Sequence, residues 1–265
     1  MTKVVSASRR VDMVGSYPDE LKELLTRRAR PEETHTVVIW TKDPSNIFRD
    51  AELYRILRSY EQVYFHHTIT GLGGSFLEPQ VPHTATSLSL VRKLAEFAGK
   101  PERVALRFDP IVRFRAASGE VLTNLEFFES IARTASDIGI RQVFTSWVSS
   151  YGKVTKRLEK LGLECVQLSA LQFQAESAQL EEKAKEIGVE LLYCCVPGKQ
   201  SGKCIDGERL KRLHPRREEC STLKAKGQRE LCECTDSLDI GWYKLCRHGC
   251  LYCYGSPDIR KARSK

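Results

Sequence analysis

Short apolar runs alternate with amphipathic stretches from residue 3 to about residue 195. The runs are rich in β-branched and aromatic residues, as strands are; they are VVSAS (4–8), HTVVIWT (35–41), VYFHHTIT (63–70), RVALRFD (103–109), QVFTSWV (142–148) and VELLYC (189–194). The stretches between them carry apolar residues at helical spacing and include PDELKELLTRR (18–28), IFRDAELYRILRSY (47–60), TSLSLVRKLAEFAG (86–99), TNLEFFESIARTASDIG (123–139) and SAQLEEKAKEIG (177–188). This alternation predicts βα units built around a parallel sheet.

Six strands of this kind are too few for an eight-stranded barrel. They predict an α/β fold, an incomplete (β/α)6 TIM-like barrel over residues 1–195. The remaining residues, 196–265, hold most of the cysteines and predict a metal-binding region packed on the barrel mouth. A segment around LECVQL (163–168) is a candidate for one further short strand.

Alternate positions of the predicted strands are polar, although strands buried on both faces are usually apolar throughout. The polar positions are Ser6, Ser8, His66, Thr68, Thr70, Arg107, Asp109 and Ser146. Because side chains alternate with a period of two, the intervening residues share the opposite face, beneath the helices; they are Val5, Ala7, Phe65, Ile69, Leu106 and Phe108. We therefore expect the barrel interior to be a ligand chamber, with His66 as a ligand contact or a hydrogen-bonded core histidine.

Polar residues also gather where the strands end. SRRVD (8–12), WTKDP (40–44), TITGLGG (68–74) and RFDP (107–110) each follow an apolar run. Any one of them suits a helix cap or a turn, but the active sites of α/β barrels are built from the loops at this end of the strands. Four converging motifs favour an active site, and Arg107, Asp109 and His66 are the candidate catalytic residues.

The composition indicates a cytoplasmic protein that binds metal. The chain has 265 residues, 41% of them hydrophobic, and its start, MTKVVSASRR, lacks the long apolar stretch of a signal peptide or membrane span. Nine of the ten cysteines follow residue 193. Since cytosolic thiols are kept reduced, this pattern predicts metal ligation rather than disulfides.

The formal net charge of +8 leaves two interpretations open. The stretch 207–230 holds eight Lys and Arg residues against four Glu residues. It is either a solvated basic surface or a face that binds nucleic acid or another acidic partner.

Three cysteines, Cys246, Cys250 and Cys253, lie within CRHGCLYCY (246–254). A closed structural zinc site takes four ligands, whereas a four-iron, four-sulfur cluster held by three thiolates leaves one iron open. A second set consists of Cys204, Cys232 and Cys234 with either Cys194 or Cys195. Four thiols suit a second iron–sulfur cluster or a structural zinc, and the spacing does not separate the two.

The spacing CxxxCxxC with Tyr252 before the third cysteine resembles the signature of the radical S-adenosylmethionine (SAM) superfamily. The resemblance implies that SAM chelates the open iron and that an electron, supplied by reduced ferredoxin or flavodoxin, cleaves it. The resulting 5′-deoxyadenosyl radical then abstracts hydrogen from a substrate. The superfamily also uses an incomplete six-stranded barrel.

A narrower resemblance covers nearly the whole chain. SASRRVD, WTKDP, TITGLGG with Glu78 and Pro79, RFDP, SYGK, GKCID, QRELCEC and CRHGCLYCY are together similar to a bacterial and archaeal family defined as a domain of unknown function. The C-terminal cysteines of that family have been likened to the radical SAM motif. The resemblance favours Cys195 over Cys194 and implies no substrate.

One departure concerns the place of the motif. Radical SAM enzymes carry CxxxCxxC after the first strand, whereas here it follows the last predicted strand. Barrel closure would bring the two places together. If SAM binds, the candidate contacts are Ser8, Arg9, Arg10, Asp12, Lys42 and Thr70, and the resemblance puts Tyr252 near the adenine.

The sequence therefore predicts a radical SAM-type enzyme with an unknown substrate. One alternative is a non-catalytic barrel in which a zinc ion or an iron–sulfur cluster only attaches the C-terminal region to the barrel. Another is a lyase that repairs nucleic acid, because the cysteine tail also resembles spore photoproduct lyase. A third is a hydrolytic or nucleotide-binding barrel that uses Arg107, Asp109 and Lys42.

Overall fold

The computed structural model describes residues 2–260; Met1 and residues 261–265, the end of the predicted cysteine-rich region, lie outside this range. The strands are β1 (Lys3–Ala7), β2 (Thr34–Thr41), β3 (Val63–Thr68), β4 (Val104–Ile111), β5 (Arg113–Ala116), β6 (Val121–Thr123), β7 (Gln142–Trp147), β8 (Leu163–Cys165), β9 (Glu190–Tyr193), β10 (Leu238–Asp239), β11 (Leu245–Cys246) and β12 (Ser256–Pro257). The α-helices are α1 (Met13–Ser16), α2 (Pro18–Arg28), α3 (Ser45–Arg49), α4 (Ala51–Arg58), α5 (Thr84–Ala98), α6 (Phe128–Ile138), α7 (Gly152–Glu159), α8 (Ala170–Ile187) and α9 (Gly207–Leu213). No helix within residues 2–260 is both long and apolar enough to span a membrane.

Seven strands form one parallel sheet in the order β10-β1-β2-β3-β4-β7-β9. Six of them are the predicted strands, and they lie side by side in chain order, so the predicted α/β class and parallel sheet are confirmed. The seventh, β10, comes from the cysteine-rich region and was not predicted. Within the described residues the edge strands β9 and β10 do not pair with each other, so the sheet is not a closed barrel.

The main hydrophobic core lies between one face of this sheet and helices α1 to α6 and α8. The strand residues predicted to pack beneath the helices are all in it: Val5, Ala7, Phe65, Ile69, Leu106 and Phe108. The period-two alternation of the sequence thus identified the helix-covered face correctly.

The opposite face of the sheet is covered by the chain that follows β9. Val38, Tyr64 and Phe144 of the strands pack against Ile205 and Leu210, together with several cysteines. The expected ligand chamber is therefore filled along this part of the sheet. The reason is that the cysteine-rich region folds onto the strands instead of lying only across their ends.

Two predicted elements differ from the structure in detail. The helix expected over residues 47–60 is divided at Asp50, whose carboxylate accepts from the backbone of Glu52 and Leu53 and starts α4. The short strand expected near residue 163 exists as β8, but it belongs to a separate antiparallel sheet, β6-β5-β8. That small sheet and α7 contribute Phe114 and Leu158 to a core that also contains Cys250 and Tyr252.

Candidate metal centres

The segment 246–254, called the cysteine loop below, lies across the carboxyl ends of β1 and β3. The backbone N–H of Arg247 donates to Ser16 Oγ at 3.2 Å, at the end of helix α1, which follows β1. The N–H of Gln80 donates to the carbonyl of His248, and the N–H of Leu251 donates to the carbonyl of Leu77, both beyond β3. The loop therefore sits at the end of the sheet where the polar motifs of the sequence converge.

The three thiols of the cysteine loop influence one another electrostatically and have polar groups around them. Gly255 donates its N–H to Cys253 Sγ at 3.3 Å, and the backbone of His248 bonds to the thiol of Cys246. Burial raises the pKa of the Cys250 thiol well above its usual range; Lys42 opposes the rise, while the charges of Cys253 and Cys246 add to it. Three thiolates here would repel one another, and a bound metal would remove that penalty.

Asp12 ties the cysteine loop to the ends of β1 and β2. Its carboxylate accepts from His248 Nε2 and from the backbone N–H of Lys42, both at 2.7 Å, and from Thr41 Oγ1 at 3.0 Å. Burial alone would raise the pKa of Asp12, but the bond and charge of His248 together with the backbone donors of Gly15 and Lys42 outweigh it, so the pKa of Asp12 is lowered. Burial would lower the pKa of His248, but the bond and charge of Asp12 help to raise it. The His248 ring leaves no space for a larger residue at Gly15, where a Cβ atom would lie 2.8 Å from it.

Glu78 is a second buried carboxylate beneath the loop. It is 1% exposed and accepts from Lys42 Nζ and Thr70 Oγ1, both at 2.7 Å, and from the Tyr252 hydroxyl. Burial would raise the pKa of Glu78, but the charge and hydrogen bond of Lys42 together with the bonds from Tyr252 and Thr70 lower it overall. This network fixes Tyr252 and, through it, the position of Cys253.

Five cysteines form a second group on the face of the sheet opposite the main helices. This second cysteine group comprises Cys194, Cys195, Cys204, Cys232 and Cys234. The sulfurs of Cys194 and Cys204 are 4.0 Å apart. The other contacts run from Cys195 to Cys194, from Cys204 to Cys234 and from Cys234 to Cys232.

Arginine side chains flank the second cysteine group. Arg107 donates to Cys204 Sγ at 3.0 Å, and Arg229 donates to Cys194 Sγ at 3.4 Å. Hydrogen bonds from Cys195 and Cys204 lower the pKa of the Cys194 thiol, and the two arginines lower it further. Both groups of clustered cysteines thus have the composition and surroundings of metal-binding thiolates.

Residues 18–255 match the family described as Domain of unknown function (DUF1848). The chain belongs to this family. The predicted family membership is thereby confirmed, and the matched span contains the whole cysteine loop and the second cysteine group. No curated protein matches the chain.

The three residues predicted to be catalytic in this DUF1848 chain lie beside the second cysteine group. Arg107 and Ser146 both donate to the Asp109 carboxylate. His66 is fully buried, its Nε2 lies 2.6 Å from the carbonyl oxygen of Cys204, and burial lowers its pKa to about 3. Arg107 and His66 therefore lie at Cys204, whereas Asp109 is bonded to Arg107 and its charge also acts on Lys42 beneath the cysteine loop.

Four of the seven predicted SAM contacts lie in the buried networks under the cysteine loop, and the other three make separate contacts. Asp12, Lys42, Thr70 and Tyr252 lie in the buried networks under the cysteine loop. Ser8 accepts from the backbone N–H of Met13 at 3.1 Å. Arg9 donates to Gln228 at 3.2 Å. Arg10 donates to Asp239 at 3.0 Å and remains 45% exposed in its side chain.

Sequence reasoning missed Glu78 and Arg229 as site residues. Glu78 had one usable signal, because it lies within the motif beside Pro79 that carried the family resemblance. Arg229 had the same signal, because it lies within QRELCEC, but that motif gives no sign of the thiol that the arginine contacts.

A compact group of metal-ligand types lies elsewhere, beside the start of β2. Among residues 2–260, only Glu61, His214 and Glu218 have three such ligand atoms all within 4.8 Å of one another. Arg216 already bonds to both carboxylates, at 2.7 Å and 3.1 Å. The negative charge of these carboxylates is therefore already balanced by the Arg216 guanidinium.

Proposed function

We propose that this protein is a radical SAM-type iron–sulfur enzyme in which Cys246, Cys250 and Cys253 hold a four-iron, four-sulfur cluster. The observation that carries the proposal is the place of the cysteine loop. In the superfamily the CxxxCxxC motif follows the first strand, and here the loop contacts Ser16 and Asp12, which follow β1. The motif thus reaches the equivalent end of the sheet although it comes last in the chain.

The residues around the loop suit three thiolate ligands without a fourth. His248 is the loop residue that could complete a four-ligand zinc site. Its Nε2 bonds to Asp12 at 2.7 Å, and its Nδ1 lies 3.4 Å from the carbonyl of Gln80. Because both ring nitrogens are engaged, three thiolates remain, which is the set that leaves one iron open.

When bound, the cluster would supply the electron for reductive cleavage of SAM, and the resulting radical would abstract hydrogen from a substrate. The chain's own residues would bind and orient SAM. Arg10, with Arg9 beside it, offers a forked donor for the SAM carboxylate. Asp12 and Asp109 are the candidate acceptors for the SAM amine. Each already accepts bonds within the protein, Asp12 from His248 and the backbone of Lys42, and Asp109 from Arg107 and Ser146.

The buried networks keep the cysteine loop in place. Asp12 holds His248, and Glu78 holds Tyr252 and Lys42. Tyr252 is 5% exposed as a whole and its hydroxyl donates to Glu78, so the adenine would lie beside this residue without displacing its side chain.

We further propose that the second cysteine group binds metal, as a structural zinc or a second cluster, and that reduced ferredoxin or flavodoxin supplies the electron. The substrate remains unassigned. Cations of the basic stretch 207–230 are paired with acids: Lys211 with Glu219, Arg216 with Glu61 and Lys224 with Glu233. This pairing favours the solvated surface over a nucleic-acid face.

The proposal is tested by metal analysis after anaerobic reconstitution of the wild type and of a triple variant, Cys246→Ala, Cys250→Ala and Cys253→Ala. We expect the variant to remain folded by circular dichroism and to lose about four irons and four sulfides per chain. The matched control is Cys165→Ala, because Cys165 is a half-buried thiol of β8 outside both groups. Stoichiometric zinc in the purified wild type, with no iron after reconstitution, would contradict the proposal.

A further inference from the structure

We propose that the second cysteine group holds a polynuclear iron–sulfur cluster rather than one zinc ion, with Cys194, Cys204, Cys232 and Cys234 as ligands and Arg107 as a hydrogen-bond donor to the cluster. This inference rests on the part of the proposed function that assigns metal to the second cysteine group. It does not depend on radical chemistry at the cysteine loop.

The spread of the sulfurs argues against a single zinc. Four thiolates on one tetrahedral zinc, each bonded at about 2.3 Å, lie roughly 3.8 Å from one another. The Cys194–Cys204 separation of 4.0 Å fits that geometry. Within residues 2–260, however, no third thiol lies within 4.8 Å of both sulfurs. The thiols instead contact one another in a run, from Cys204 to Cys234 and from Cys234 to Cys232. An iron–sulfur cluster fits such a run, because its irons and sulfides lie between the thiolates and hold them farther apart than one zinc ion would.

The surroundings of the run are those of a buried anionic centre. Cys204, Cys232 and Cys234 are at most 8% exposed. The backbone of Ile205 bonds to the thiol of Cys234, and the backbone of Cys234 bonds to the thiol of Cys232. Each of these backbone donors lowers the pKa of the thiol that accepts it and so favours the thiolate that a metal requires.

Strand geometry selects Cys194 over Cys195. Leu192 of β9 and Phe144 of β7 are paired neighbours and both pack on the cysteine-bearing face. Because side chains alternate along a strand, Cys194 continues on the side of Leu192. It also lies 4.0 Å from Cys204 and accepts from Arg229. Cys195 has φ of 55° and contacts the run through Cys194. The resemblance favoured Cys195, and the geometry points to its neighbour.

Arg107 is a positioning residue for this centre. Its guanidinium is 7% exposed, donates to Cys204 Sγ at 3.0 Å and is held from the other side by Asp109. A charged donor to a ligand sulfur stabilises the more negative, reduced form of a cluster and so raises its reduction potential.

The ligand assignment is tested in the triple variant that lacks the cysteine-loop thiols, so that iron bound there belongs to the second cysteine group. We expect about four irons and four sulfides per chain after anaerobic reconstitution. Adding Cys194→Ala should remove most of this iron, whereas adding Cys195→Ala should leave it. The assignment would be overturned if the triple variant bound zinc and no iron. It would also be overturned if Cys195→Ala removed the iron and Cys194→Ala did not. Should the triple variant fail to fold, the same pair of substitutions in the wild type decides by the number of irons lost.

The role of Arg107 is tested by the midpoint potential of the iron that the triple variant retains. We expect Arg107→Gln to keep the iron and lower the potential, and Arg107→Lys to restore part of the shift. Arg113→Gln is the matched control, because Arg113 also pairs with a carboxylate, Glu176, and has no cysteine partner in the described chain. An unchanged potential in Arg107→Gln would overturn this role. Iron missing only from the cysteine loop would instead count against the proposed function.

Discussion

Glu78 is the centre of the buried network that holds Tyr252 in the cysteine loop. It is 1% exposed, and its partner Lys42 is 16% exposed in its side chain. Glu78→Gln leaves that ammonium buried without its counter-ion, and we expect the free energy of unfolding to fall by roughly 3 kcal/mol in urea denaturation. In the exposed control Glu23→Gln, which loses the pair with Arg27, the fall should stay below about 1 kcal/mol. Equal effects of the two substitutions would contradict the buried network.

His67 predicts how stability depends on pH. It is fully buried, and burial lowers its pKa from 6.5 to about 4. The unfolded chain therefore takes up a proton that the folded chain excludes, so the contribution of His67 to stability is complete above pH 6.5 and is lost as the pH falls towards 4. Between pH 6.5 and about pH 5 the loss amounts to roughly 2 kcal/mol.

The check on His67 is urea denaturation of the metal-free protein at several pH values. The variant His67→Gln should show a correspondingly smaller decline on acidification, whatever its stability at neutral pH. If wild type and variant lose stability in parallel, another group is responsible for the acid sensitivity.

At the scale of elements, β10 joins the cysteine-rich region to the sheet. Ile240 directly follows β10, is fully buried in the main core, and donates its N–H to the carbonyl of Ser6 at 3.0 Å. Ile240→Ala should lower the free energy of unfolding by about 2–5 kcal/mol, because it leaves a cavity against β1. Leu223→Ala is the control, since Leu223 is 75% exposed. A result within error of the control would mean that this segment is not docked on the sheet.

The strands were predictable to different degrees. The six long strands could be found because each is an apolar run bounded by polar residues, a local property. β10 consists of Leu238 and Asp239 and has no local pattern; its pairing with Val5 and Ser6 depends on the rest of the fold. For the same reason the sequence did not predict that the expected ligand chamber is filled. The chamber is filled because residues 204–234 fold back onto the sheet.

At the scale of the whole molecule, the cysteine loop could be singled out from spacing alone, because its three thiols are neighbours in sequence. The second cysteine group could be predicted only in part. Its members come from three separate segments, and the choice between Cys194 and Cys195 depends on which side of β9 each faces. Arg229 and Glu78 lie within the family motifs, but which groups they contact is set by tertiary contacts that no local pattern records.

Reductive cleavage of SAM is the activity that we propose for this protein. The direct measurement is 5′-deoxyadenosine formed from SAM by the anaerobically reconstituted protein with dithionite as reductant. We expect product from the wild type and from Cys165→Ala, only when reductant is present, and none from Cys250→Ala. A reconstituted wild type that holds its iron and releases no 5′-deoxyadenosine would contradict the claim and leave a metal-binding protein without this chemistry.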